Sequence, residues 1–285
     1  MAKMHILLPT DFSKASIIPV YYAAKLARKI NAKIILFHAV YMNAIPRAST
    51  SFKPGLLINA MSENALADLE ALAAKLKDEV GNDIEVSCHV GAGMSLKAAI
   101  EAYTNKNKID LIIMGTKGAS GLKKVLMGSN TTDVIASSKI PVITVPELAY
   151  FSNIHKIVYA SDFLDVEQEL EALLPFAQLF QASIHILHIV SPEFTEEIDT
   201  GILLDDLLEK HAYPEISVHT KVSSEVINAI DEYIKESDAN ILAMFTHKPT
   251  FFEKLFGQSI TREMAFHSNV TLLTLKKAPL DGYAS

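Results

Sequence analysis

Three glycines, Gly115, Gly118 and Gly128, and the Ser129-Asn130-Thr131 run behind them are the residues whose types and spacing suit binding chemistry. The apolar run Leu111 to Met114 precedes the first glycine and has the character of a buried parallel strand. An amphipathic segment with Val134 and Ile135 on one side follows the last glycine. A strand, a glycine loop and a helix start make a seat for a phosphate. Glycine lets backbone N–H groups approach the anion closely, and a helix N-terminus adds unsatisfied donors and positive dipole. The Ser129 and Thr131 hydroxyls stand where a phosphate oxygen or a metal-bound water would sit. Taken singly, each glycine reads equally well as a turn residue. Together they form Gly-x-x-Gly, nine residues, Gly-Ser. That is neither the tighter dinucleotide fingerprint nor a P-loop, since no Lys-Ser/Thr pair follows a glycine.

Asp11, behind Pro9 and Thr10 at the end of the first apolar run, is the second candidate. A carboxylate at a strand end accepts hydrogen bonds from a base amino group or from ribose hydroxyls. It equally serves as a cap or turn residue before the next helix, and both readings stand. The chain has ten histidines, which raises a metal site. His38, His185 and His188 lack helical i,i+4 pairing and any Cys or carboxylate at ligand spacing, so core or rim positions are expected of them. Lys117, Lys123 and Lys124 can neutralise charge, but no Walker-type Asp or water-positioning residue stands out. No catalytic residue is assigned.

The elements that position these residues alternate. Strands are expected at His5 to Leu8, Ala32 to Val40, Ile84 to Val90, Leu111 to Met114 and Val142 to Val145. Helices are expected at Lys14 to Ile30 behind a Ser13 N-cap, about Glu63 to Val80, Ser95 to Tyr103, and from Ser129. Tyr41 to Gly55 reads as a loop. Such alternation implies a doubly wound parallel sheet covered on both faces, with ligands beyond the carboxyl ends of the strands. Asp11, Val40 and Gly115 all fall at such ends.

The pattern then repeats. Ile157-Val-Tyr-Ala-Ser-Asp-Phe163 answers Ile6-Leu-Leu-Pro-Thr-Asp-Phe12, His188-Ile-Val190 answers His38-Ala-Val40, and Ile241 to Phe245 answers Leu111 to Gly115. The fold class is therefore α/β, two tandem doubly wound, five-stranded parallel sheets of Rossmann-like type. Residues 1–146 form the first domain, 147–152 a linker, 153–277 the second domain and 278–285 a tail. The last strands, Val142 to Val145 and Leu272 to Leu275, are apolar edges, and packing of the domains about a pseudo-two-fold axis through them is expected. The second copy puts Phe245 at the place of Gly115 and Lys248 at that of Gly118. Gln258 stands at that of Gly128, while Ser259 and Thr261 are kept. Its phosphate loop is expected to be degenerate.

At 285 residues and 49% apolar content the chain can bury two cores. A single cysteine, Cys88, fits a reducing compartment, no apolar stretch reaches the roughly 18 residues of a membrane span, and a net charge of −7 gives no footprint for nucleic acid. A cytoplasmic protein is expected, with neither membrane nor nucleic acid as partner.

The glycine spacing with its Gly128-Ser129 resembles the signature of the ATP-binding branch of the universal stress protein family, and the resemblance runs over nearly the whole chain. It implies that Pro9, Thr10 and Asp11 contact the adenine end and that Val40 lines the adenine pocket. Met114, Gly115, Gly118, Gly128, Ser129, Asn130 and Thr131 would lie near ribose and phosphates. Most family members carry a hydrophobic residue where Asn130 stands, but its backbone N–H serves the same purpose. The resemblance further implies ATP, or AMP or ADP, with Mg²⁺, a sensing role towards a protein partner, and dimers of such domains, here met within the chain or as a homodimer of tandem chains. Competing readings are a weak ATPase or adenylate-handling enzyme, and a ligand-free interaction scaffold.

Overall fold

A computed structural model describes residues 3–41, 54–116, 128–193, 199–246 and 270–276. Its compact units divide between Phe151 and Ser152. In the first unit β1 (His5–Pro9), α1 (Lys14–Ile30), β2 (Lys33–Val40), α2 (Pro54–Val80), β3 (Glu85–Ala92), α3 (Leu96–Thr104), β4 (Leu111–Gly115), α4 (Ser129–Ser137) and β5 (Val142–Val145) follow in order. The strands run β3-β2-β1-β4-β5 across the sheet. Their registered pairs are parallel. The chain winds outwards from β1 to β3, then returns to β4 on the other side, so the switch point lies between β1 and β4.

Burial explains why these runs are strands. Ile6, Leu7 and Leu8 of β1 and Ile34, Leu36 and Phe37 of β2 are all inaccessible to solvent, as expected of a parallel sheet covered on both faces. Asp110 sets the level of β4 against β1, its Oδ2 accepting the His5 N–H at 2.8 Å. Ser13 caps α1 as expected, its hydroxyl accepting from the Ser16 N–H. One expectation fails: α2 begins at Pro54, not near Glu63, so the loop assigned to Tyr41 to Gly55 does not reach its far end. Proline suits the first helical turn, where its missing N–H has no partner to lose.

The second unit contains β6 (Lys156–Ala160), α5 (Val166–Phe180), β7 (Ser183–Val190), α6 (Thr200–His211), β8 (Ile216–Val222), α7 (Val226–Ser237), β9 (Ile241–Phe245) and β10 (Thr271–Leu275). Its strand order, β10-β9-β6-β7-β8, repeats that of the first unit, again with parallel pairs. Asn240 takes the place of Asp110, its Oδ1 accepting the N–H groups of His155 and Lys156. The core differs in one respect. Tyr159 is fully buried where the first unit has Leu8, and its hydroxyl is hydrogen-bonded to Glu169, which is only 3% exposed. Among the described residues no helix is long and apolar enough to cross a membrane.

His185 stands at the place of Ile35 and introduces a titratable cluster. Its Nδ1 lies 2.9 Å from the Tyr233 hydroxyl, its ring stacks on His219 at 4.8 Å, and His219 Nε2 meets Ser217 Oγ at 2.7 Å. Burial, then His219 and Lys156, push His185 down to about 4; burial and Lys156 lower His219 as well. An unfolded histidine takes up its proton near pH 6.5. Between about pH 6.5 and 4 the unfolded chain therefore binds more protons than the folded one, and stability rises with pH in that window. The contribution is fully present above about 6.5 and is lost as pH falls through about 4. For a half-buried ring the loss is on the order of 1–2 kcal/mol after allowance for solvent screening. Urea unfolding at pH 7 and pH 4.5 should show the second unit losing more stability in the native chain than in His185→Ile; equal losses would remove His185 as the cause.

Candidate functional site

The carboxyl ends of β1, β2 and β4 each carry a part of the candidate site in the first unit. At β1, Pro9 and Thr10 are buried. Thr10 donates its N–H to the Phe37 carbonyl at 2.9 Å, tying this end to β2. Its hydroxyl meets Ser16 Oγ at 2.8 Å and accepts the Phe12 N–H at 3.1 Å. Asp11 is exposed, and its Oδ1 accepts the Ser13 N–H at 3.0 Å. Its carboxylate thus shapes the turn into α1, the local role left open by the sequence. That turn holds Phe12 at φ 60°, in the left-handed region, where a bulky residue is strained. The ring of Phe12 lies 4.7 Å from that of His38, whose Nδ1 donates to the Thr10 carbonyl at 2.8 Å.

At β2, Val40 is buried and its carbonyl accepts the Gly93 N–H at 2.8 Å. Over this end opens a cavity of about 340 Å³, within the range of small-molecule sites. Phe12, His38 and Val40 form one side, and Met61, Asn64, Ala65 and Asp68 of α2 the other. These α2 residues were not singled out from the sequence. Their signal was present: 61, 64, 65 and 68 is the i, i+3, i+4, i+7 spacing of one helix face.

At β4, Met114 is buried and Gly115 ends the strand. Gly128 caps α4 with φ −61° and ψ 146°, donating its N–H to the Thr116 carbonyl at 2.7 Å, and its own carbonyl takes the Thr132 N–H at 3.0 Å. The N–H groups of Ser129, Asn130 and Thr131 precede the first intrahelical bond and have no intrahelical acceptor, so they are the donors available to an anion. Ser129 and Asn130 are exposed. Gly128 at φ −61° needs no left-handed backbone. One sequence argument changes here. The Thr131 hydroxyl donates to the Gly115 carbonyl at 2.8 Å and its residue is 4% exposed, so it joins helix start to strand end rather than offering itself to a phosphate. Gly118 lies outside the described residues.

The second unit reproduces the β6 end almost bond for bond. Ser161 donates its N–H to Leu187 at 2.9 Å, His188 Nδ1 lies 2.8 Å from the Ser161 carbonyl, and Phe163, at φ 62°, stacks on His188 at 4.5 Å. Asp162 Oδ1 accepts the Leu164 N–H at 3.1 Å, as Asp11 does for Ser13. The β9 end departs from the pattern. Phe245 is buried, 5% exposed, and its ring stands edge-on to Tyr159 at 5.6 Å. Lys248, Gln258, Ser259 and Thr261 lie outside the described residues.

Comparison with known proteins agrees with this arrangement. The model of the universal stress protein family matches residues 4–146. Two universal stress proteins of Methanocaldococcus jannaschii are similar to the chain. One is 26% identical over 140 residues, covering 49% of this chain and 80% of that protein. The other is 28% identical over 154 residues, covering 49% and 93%. The crystal structure of a universal stress protein from Archaeoglobus fulgidus DSM 4304 superposes with a TM-score of 0.71 at 22% identity, over 96% of this chain and 98% of that one, a likeness of fold. A family match over half the chain, on a doubly wound sheet with its glycine-capped helix at the switch point, identifies the chain as a member of the universal stress protein family.

Proposed function

We propose that the first unit binds ATP, with AMP or ADP as alternatives, and that the chain acts as a nucleotide-responsive regulatory module. One observation carries this reading: the cavity over β2 and the open N–H groups of α4 beyond β4 flank the carboxyl end of β1. Two strand spacings, roughly 9–10 Å, separate β2 from β4. That suits a nucleotide with its base over β2, its ribose over Thr10 and Asp11 and its phosphates at Gly115 and Gly128 to Thr131. Among the described residues no three His, Cys, Asp or Glu side chains group as a metal site. Mg²⁺ fits here as a cation carried by phosphate oxygens and water, with the exposed Ser129 hydroxyl as the protein oxygen at the helix start. Its chemistry would be neutralisation of phosphate charge.

Regulation follows from the same geometry. Phosphates seated at Gly115 and at the start of α4 would alter the surface that a protein partner meets. No residue is assigned a catalytic role, and binding rather than turnover is the role proposed. Mass spectrometry of small molecules released by denaturing the purified chain should find an adenine nucleotide, and turnover with Mg-ATP should stay slow. Robust multiple turnover would instead make the protein an ATPase.

A further inference from the structure

The cavity over β2 is unevenly furnished. Phe12 and Met61 make it apolar, while its polar side chains are His38, Tyr41 and, one helical turn apart on α2, Asn64 and Asp68. Ionised Asp68 only accepts hydrogen bonds. His38 commits Nδ1–H to the Thr10 carbonyl, because a carbonyl cannot donate, and a neutral ring then keeps Nε2 as an acceptor. The Val40 carbonyl adds another acceptor, with one lone pair already used by Gly93. The side-chain donors are the Asn64 amide and the Tyr41 hydroxyl, and the latter can also accept. A flat ring entering this cavity meets mostly acceptors along its edge and must bring donors of its own.

We propose that Asp68, supported by Asn64, selects the base, accepting a purine with an amino group at C6 and refusing one with a carbonyl there. This rests on the nucleotide reading of the first unit and adds a specificity determinant to it. The 6-amino group brings two N–H donors to a carboxylate that can accept them. A 6-oxo group sets lone pair against lone pair, so the analogue loses a hydrogen bond to a charged group. Asp68 is exposed on its helix, so replacing it leaves the fold intact.

The test compares Mg-ATP with Mg-ITP, which differ in the base at C6 and in the N1 proton, by titration calorimetry on the full chain. Because both carry the same triphosphate, their affinity ratio cancels the phosphate seat. The native chain should favour ATP by at least about 10-fold, as expected for one hydrogen bond to a charged group. In Asp68→Asn the ratio should fall to within about threefold of unity, since a flipped amide donates to O6 as readily as it accepts from N6. Glu70→Gln removes the same charge from the same helix without lining the cavity and should keep the native ratio. A native chain that binds ATP with a ratio unchanged in Asp68→Asn overturns the inference and leaves nucleotide binding standing. A native chain that binds neither nucleotide overturns both.

Discussion

Gly128→Val is expected to weaken Mg-ATP binding at least about 100-fold while the free protein stays folded. The valine Cβ and its methyl groups occupy the approach to the N–H groups of Ser129, Asn130 and Thr131, the donors without intrahelical acceptors. Hydrogen bonds to charged groups contribute about 1.5–3 kcal/mol each. Losing two of them amounts to about 3 kcal/mol or more, which sets the 100-fold floor. The fold should tolerate the change because φ −61° and ψ 146° lie in the extended region open to any residue. Valine is a poorer N-cap than glycine, a difference of about 1 kcal/mol or less, or a few degrees of melting temperature. Unaltered affinity in a folded Gly128→Val chain would dispose of the phosphate seat.

The strand ends were legible because parallel strands buried on both faces leave unbroken apolar runs. Leu111 to Met114 and Val142 to Val145 could not be placed otherwise. Helix α1 was legible from a local cause as well, the Ser13 cap. The start of α2 was not. Its first turns carry exposed Leu56 and half-exposed Met61, so the apolar face that reveals a helix is blurred there by residues facing solvent or the cavity. Asn64 and Asp68 lay inside the expected helix, but their place over the end of β2 depends on how α2 packs, which its own pattern does not reveal.

Residue roles were harder to read than residue positions. Asp11, Thr131 and Gly128 all sit at strand or helix ends, as their spacing implied. What each does depends on partners far along the chain. Thr131 is bound to Gly115, sixteen residues away, and Thr10 to Phe37 and His38. His38 and His188 illustrate the same point. Each is held by the carbonyl of the first-strand residue equivalent to Thr10, a contact between two strands that no local pattern in either strand reveals.

One nucleotide per chain is the expected stoichiometry, held by the first unit. The second unit preserves the β6 framework of Ser161, Asp162, Phe163 and His188, so the base end alone would argue for two sites. The β9 end argues against it. At the place of Gly115, where the proposed site seats a phosphate, Phe245 sets a ring against Tyr159, and Tyr159 is fixed in turn by its bond to buried Glu169. Moving Phe245 aside would disturb a packed core, which typically costs about 1–3 kcal/mol. Titration of the full chain with Mg-ATP should therefore give a ratio near one, and Gly128→Val should abolish that single event. At free ligand 100 times Kd the binding unit gains about 2.7 kcal/mol. For a unit of this size that is a melting shift of very roughly 5–10 °C, at about 2–4 °C per kcal/mol. A ratio near two would show that the second unit seats a nucleotide despite Phe245.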